Sequence, residues 1–529
     1  MHDVLSSKKN TPIDVQILNY IQCFDSLWLE ASLNDIYEGG IKDDTLALLY
    51  DVNSNVNMAI RTPVGKTERK TIQKVVLQGD VFGSLLCSNQ VDMFGKECLE
   101  ENKYLYKYKG VLDIPPLGMV DDLLCVSVCG HQTSMMNAFI NHKTHSRKLQ
   151  FGPDKCKKLH VGKERESFKC QDLHVGGWKM INSKNVKTGK EEVKESLEEK
   201  ELIETVDQEK YLGDIVQSNG KHTKNIQERE NKGKGATNQI MQILDNIYFG
   251  KYHFEAAKTL RNSLLIGSML FNSEAWNNVP IVEIEKLEKI DEKCLRKFVM
   301  APYGTPKVML YLELGLLPIR FIIQSRRLNF LQYILKEEKS SLVSQFLQAQ
   351  LESPTHNDWG SLVLRDISDL KLNVNMKDIT EMSKGAFKKL VKEKVLLNAL
   401  EYLTNKKGSK SQDVLHEEIV LQEYLAANNE ETSVEKKKFA FKCRSRMLPL
   451  KANMKQNEID LSCSACGLSE ENQLHLLQCQ VLDGYDNTNT HEIEHKEIYS
   501  QDVKQMFIAT SAMKNRLDIF NKNFKTKTK

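Results

Sequence analysis

The sequence predicts an α+β protein: a mixed strand-and-helix region, a long and mostly helical one, and a small metal-binding module. Three observations predict this. Short β-like runs at 13–18, 73–77 and 119–128 alternate with helical or turn-rich segments in the first 130 residues. From about 236 to 345 apolar residues recur every three or four positions. Near the C-terminus the stretch CSACGLSEENQLHLLQC gathers three cysteines and a histidine.

Bulk composition narrows the function classes. The chain has 529 residues, enough for two to four domains, with 40% hydrophobic and 27% charged residues. A net charge of +3 gives no whole-molecule attraction to nucleic acid, so phosphate affinity must come from local patches. No apolar run approaches the ~18–20 residues of a spanning helix. The opening MHDVLSSKKNTPIDV lacks the apolar core of a signal peptide. The expectation is an intracellular protein without a membrane partner, in nucleus or cytoplasm. Most of the twelve cysteines stand singly (Cys23, Cys87, Cys98, Cys125, Cys129), as small buried residues do.

Each element follows in order. FDSLWLEASLNDIYEGG (24–40) has helical apolar spacing, ended by Gly39-Gly40. The charged stretch 184–209 reads as a solvated helix or surface insertion. YLGDIVQSNGK (211–221) reads as a strand and an Asn-Gly turn. Ile284, Leu287, Ile290, Cys294 and Phe298 line one face of a helix. APYGTPKVMLYLELGLLP (301–318) interrupts that pattern with prolines and glycines, and IRFIIQSRRLNFLQYILKE resumes it. Residues 346–440 read as surface-rich helices, and NKNFKTKTK as a basic, disordered tail.

PPLGMVDDLLCVSVCG (115–130) sets Asp121 and Asp122 inside an apolar run. On one regular strand adjacent side chains point to opposite faces, whereas at a hairpin tip both can approach one metal. A plain turn with charged residues at its tip reads the same way. The company of the pair separates the two readings. MVDDLLCV resembles the signature of reverse transcriptases. VVLQGDVFGSLLCS (75–88), RKLQFGPDKCKKLHVG (147–162) and YLGDIVQSNG resemble further segments of the same enzymes, in the family's order and at about its spacing. With CFDSLW (23–28) and LYLELGLLPIRFIIQSRRLNFL (310–331), they resemble the polyprotein of a non-long-terminal-repeat (LINE-like) retrotransposon over most of the chain.

The resemblance implies a right-hand polymerase fold. A palm would occupy 1–220, a helical thumb 221–345, a helical linker 346–440, and a zinc-knuckle region with a basic tail 441–529. It implies an RNA-directed DNA polymerase acting on an RNA template, a DNA primer and dNTPs. Nucleotide addition is an in-line displacement helped by two divalent metals, and hard Mg²⁺ prefers carboxylate oxygens. The resemblance assigns Asp121 as the principal Mg²⁺ ligand and Asp122 as the auxiliary one. It puts Phe24 where a side chain excludes the ribose 2′-hydroxyl, Gln78 and Gly79 at the template–nucleotide pair, and Lys155 near the triphosphate. Tyr211, Leu212 and Gly213 take the primer grip.

Two departures stand out. The family pattern Asp-x-x-x-x-Phe-Asp puts a third metal-binding Asp where this chain has Asn19. One charge facing Mg²⁺ is worth several kcal/mol even at an effective dielectric of about 20, and each ~1.4 kcal/mol is tenfold in rate. Polymerase activity is therefore expected to be crippled. Asp14 and Asp25 lie some 16–20 Å away along a strand, too far to substitute. Only eighteen residues precede Asn19, so the family's fingers region is largely missing and a truncated chain is expected.

The C-terminal spacing C-x2-C-x8-H-x3-C gives Cys463, Cys466, His475 and Cys479. Two nearby thiolates plus a His and a Cys one helical turn apart can close a tetrahedron around Zn²⁺. The family carries a similar motif, thought to grip nucleic acid. KKKFAFKCRSRMLPLK (436–451) is a candidate for phosphate contacts or simply a solvated helix face. The alternative to a degenerate polymerase is a non-catalytic RNA- or DNA-binding protein using thumb and knuckle.

Overall fold

The computed structural model describes residues 12–21, 27–54, 56–72, 83–101, 105–147, 149–162, 172–176, 178–184, 191–197, 201–408, 410–414, 416–426, 433–454, 460–485 and 493–524. The expected strand at 73–77, with Phe24, Gln78 and Gly79, lies outside them. The architecture is mixed α+β, as expected, in two compact units: residues 1–225 with 339–361, and residues 226–338 with 362–529.

In the first unit, strand β1 (Ile13–Asn19) precedes helices α1 (Leu29–Glu38), α2 (Asp43–Asn53) and α3 (Gly83–Glu101). Hairpins β2–β3 (Tyr106–Tyr108, Leu112–Ile114) and β4–β5 (Leu117–Met119, Asp122–Val128) follow. Then come α4 (His131–Ser146), β6 (Lys157–Val161), β7 (Glu204–Thr205) and hairpin β8–β9 (Gln208–Tyr211, Asp214–Gln217). Five strands form one sheet in the order β7-β6-β1-β5-β4. β1 is central and antiparallel to both neighbours, while β7 runs parallel to β6.

The central position explains the residues of IDVQILN. Strand side chains alternate between faces, and both faces of β1 are covered. Leu18 packs with Leu33, Ile36, Leu86, Leu123, Cys125 and Met136 under the helices. Ile13, Val15 and Ile17 pack with Tyr106, Tyr108, Leu124, Val126 and Val216 on the other face. The helix Leu342–Glu352 joins this second layer: Ala349 belongs to it, and Gln350 Nε2 donates to the Tyr108 hydroxyl at 3.2 Å. Lys109 pairs with Asp358 at 2.5 Å, both nearly buried.

The charged stretch departs from the helical option. Glu191–Leu197 is a strand, antiparallel to Trp178–Lys184, and Glu201–Leu202 pairs with His174–Val175. A partner strand satisfying the backbone here outweighs the helical preference of Glu and Lys.

The second unit is helical, with α5 (Thr223–Asn246), α6 (Ile281–Phe298), α7 (Lys307–Leu314), α8 (Ile319–Lys336), α9 (Lys384–Thr404), α10 (Val434–Arg444), α11 (Gln473–Gln478) and α12 (Val503–Asn523). The five residues expected on one face of α6 are all buried. No single described helix is long and apolar enough to cross a membrane; α7 and α8 pass only as a pair, bent by 54°. α7 ends at Gly315, whose φ of 60° is left-handed. A Cβ there would sit 2.1 Å from the Leu421 nitrogen, so only glycine fits.

Glu313 on α7 is fully buried and accepts hydrogen bonds from Arg444 on α10 at 3.2 Å, with His416 Nε2 at 3.1 Å. Burial alone would raise its carboxyl, but the Arg444 guanidinium and His416 outweigh burial and hold it at about 2. Its folded value lies below the unfolded 4.5, so this stability is present above pH 4.5 and lost as pH falls toward 2. Glu313→Gln leaves Arg444 buried without its countercharge. We expect it to cost about 3–5 kcal/mol in denaturant unfolding at pH 7. The variant should also lose about 3 kcal/mol less than wild type between pH 4.5 and 2. Parallel pH curves for the two proteins would contradict this.

Candidate functional site

The Asp pair sits where β4 turns into β5. Met119 pairs directly with Asp122, leaving Val120 and Asp121 as a two-residue turn. Val120 has φ 58°, a left-handed value that a β-branched residue adopts only under strain. Its carbonyl accepts from Cys87 Sγ at 3.3 Å, and the Asp121 carbonyl from the Tyr20 amide at 3.3 Å. These contacts fix the turn against the end of β1.

The β1–β5 register sets Asn19 opposite Asp122. Asn19 Nδ2 donates to Asp122 Oδ1 at 2.5 Å. Asn19 Oδ1 is buried with no hydrogen-bond partner among the described residues. Thus Asp122, expected to be auxiliary, is the carboxylate that meets Asn19, because Asp121 is spent in the turn and only residue 122 enters the ladder. Both aspartates are half-buried.

Tyr211 closes the same face. It packs against the layer of Leu124 and Val126. Burial, and then the Asp122 charge, push its phenol up to about 12. Leu212 (φ 45°) and Gly213 (φ 86°) form the tight turn joining β8 to β9. Two successive positive φ values match the twist a two-residue hairpin needs.

Lys155 is exposed at the end of the turn Pro153–Lys155. That segment is tied to the end of β1: the Gly152 amide donates to the Asn19 carbonyl at 2.9 Å, and Ile21 donates to Gln150 at 2.8 Å. Tyr20 and Phe151 stack at 4.6 Å. The structure therefore gathers Asn19, Asp121, Asp122, Lys155 and Tyr211 around one strand end.

This constellation does not amount to a metal site. Among the described residues, neither grouping of three or more Cys, His or carboxylate side chains close enough to share an ion includes Asp121 or Asp122. Asn19 instead gives Asp122 a neutral donor, occupying a lone pair that a cation would need. Asp14 cannot substitute. It lies five residues away on β1, which alternation puts on the opposite face.

The second candidate site is the cysteine cluster. The ligand atoms of Cys463, Cys466, His475 and Cys479 all lie within 4.8 Å of one another. Cys466 Sγ is 3.2 Å from His475 Nε2. Gly467 (φ 70°) lets the loop fold back, its amide donating to the Cys463 carbonyl at 2.8 Å. Asn472 caps α11 through the His475 amide at 2.9 Å, aiming His475 and Cys479 at the same point. Burial and then the neighbouring Cys463 push the Cys479 thiol up to about 11, a repulsion that a bound dication relieves. Three thiols and an imidazole fit a structural zinc ion.

Sequence reasoning missed what holds this cluster. Arg516 on α12 is fully buried and donates to the Leu476 carbonyl at 2.9 Å, the Cys479 carbonyl at 3.0 Å and Asp483 at 2.8 Å. Glu471 accepts from the Ser464 hydroxyl at 2.7 Å and the Lys451 amide at 3.1 Å. Neither residue is a ligand, and neither falls in a recognisable spacing. The basic segment 436–451 is also more structural than expected. Lys437 is buried on the Ala426 carbonyl, Arg444 on Glu313, Arg446 pairs with Asp413, and Lys451 reaches the Ser462 carbonyl.

Arg516→Ala should weaken zinc binding by about 10–100-fold, the usual effect of removing an outer-shell partner. Cys466→Ser should weaken it further. Competition against a chromophoric chelator measures both. Unchanged affinity in Arg516→Ala would mean that the knuckle is formed without α12.

Compared with known proteins, the chain matches no family model and no curated protein.

Proposed function

We propose that the chain is a reverse transcriptase-like protein derived from a non-long-terminal-repeat retrotransposon, with a palm whose metal centre has lost one carboxylate. The observation that carries this reading is the pairing of Asn19 with Asp122 across β1 and β5. Two segments about a hundred residues apart, each resembling a catalytic motif, meet side chain to side chain. Tyr211 of the segment resembling the primer grip feels the same carboxylate. The strained turn at Val120 adds support, because backbone strain of this kind collects at functional sites.

In this reading the substrates are an RNA template, a DNA primer and dNTPs, with Mg²⁺ as cofactor. Asp121 and Asp122 would be the metal-binding pair of the intact centre, too weak to hold the ion beside Asn19, and Lys155 would steer the triphosphate. An amide at residue 19 supplies no charge. The lost attraction of several kcal/mol corresponds to a rate loss of roughly a thousandfold or more. A second reading, non-catalytic nucleic-acid binding, is favoured by the zinc cluster, whose geometry is complete where the carboxylate site is not.

Primer extension on an RNA template with the purified chain separates these readings. We expect background incorporation by wild type and at least a tenfold gain in Asn19→Asp, lost again in Asn19→Asp/Asp122→Ala. Incorporation by wild type that Asp122→Ala abolishes would show that the centre works without the third carboxylate. No gain in Asn19→Asp, with RNA binding that disappears in Cys466→Ser, would favour the binder.

A further inference from the structure

The helix-covered face of the sheet holds a second cluster of metal-ligating groups, far in sequence from the knuckle. Asp14 on β1 is fully buried. Its register partners are His160 on β6 and Ser127 on β5. His160 Nδ1 lies 2.8 Å from Asp14 Oδ1, and the Thr133 hydroxyl donates to Asp14 Oδ2 at 3.0 Å. Ser127 and Thr133 hydroxyls are 2.9 Å apart. Cys129 follows β5, is 2% exposed, and is fixed by its amide on the Pro12 carbonyl at 3.0 Å. One ligand atom each from Asp14, Cys129 and His160 lies within 4.8 Å of the others. His160 Nε2 is buried and meets no hydrogen-bond partner among the described residues.

We infer that Asp14, Cys129 and His160 form a second zinc site, with its fourth position open to water, independent of the polymerase reading. The donor set is the mixture of thiolate, imidazole and carboxylate that zinc accepts. Around zinc, tetrahedral bonds of about 2.0–2.3 Å set ligand atoms roughly 3.3–3.8 Å apart, so a pair at the 4.8 Å limit would close by up to about 1.5 Å on binding. The ion's two charges balance the carboxylate and the thiolate, which a buried site otherwise holds at high cost. Thr133 and Ser127 orient Asp14 from behind, as outer-shell hydroxyls do. Lys158 shares this face one pair along, opposite Gln16, and has contacts of its own. The site would pin β1, β5 and β6 together at the end of the sheet away from Asn19. No spacing signals it, since the three residues are joined only by strand register.

Zinc content of the full chain after gel filtration tests this directly. Two equivalents are expected in wild type, one in Cys129→Ser and one in Cys466→Ser. One equivalent in wild type, all of it lost in Cys466→Ser, would overturn the proposal, as would two equivalents retained in Cys129→Ser. Because Cys129→Ser can impair folding, cobalt loading of wild type gives a second readout. The thiolate-to-cobalt charge-transfer band should total four Co–S bonds per chain. A band of only three, from the knuckle alone, would equally overturn it.

Discussion

The register between β1 and β5 is the constraint on which the candidate site depends. It fixes residue 19 opposite residue 122 and leaves residue 121 in a strained turn. A one-residue slip would exchange the two faces of a strand buried on both sides. The cores are unlike: helices cover Leu18, while the β2–β3 hairpin and Val216 cover Ile17. The apolar pattern of IDVQILN therefore locks the register, and the register decides that an amide rather than a carboxylate faces Asp122. What the site can do follows from packing far from the site.

Much of the fold was legible because its signals are local. The strand at 13–18, the helix ended by Gly39-Gly40 and the buried face of α6 follow from periodicity and breakers. The charged stretch was harder, because its strands exist through pairing with Trp178–Lys184 and not through composition. At the site, the meeting of Asn19 with the Asp pair could be read from motif order. Which aspartate would face it could not, since that depends on where the hairpin turns. The outer shell was not legible at all. Arg516, Glu471 and the Asp14–Cys129–His160 cluster come together only through tertiary structure.

The helical unit shows the same economy with buried charge. Glu313, Arg444 and His416 occupy one dry junction, and Arg261 donates to Asp291 at 2.6 and 2.7 Å in another. Such pairs are costly to desolvate and costlier to break. Arg444, in the basic segment 436–451 that the sequence offers to phosphate, is used in this way. The cations left exposed in this stretch, such as Lys436, are few.

In the proposed reading, Asp121 and Asp122 without a third carboxylate hold a divalent ion too weakly to load it. Titration with Mn²⁺ followed by its electron paramagnetic resonance signal tests it most directly, because the free ion's signal falls on binding. Wild type should show no site that Asp122→Asn removes, and Asn19→Asp should gain one with affinity at least tenfold tighter. A wild-type site abolished by Asp122→Asn would contradict the account, because the pair would then be holding its ion without residue 19.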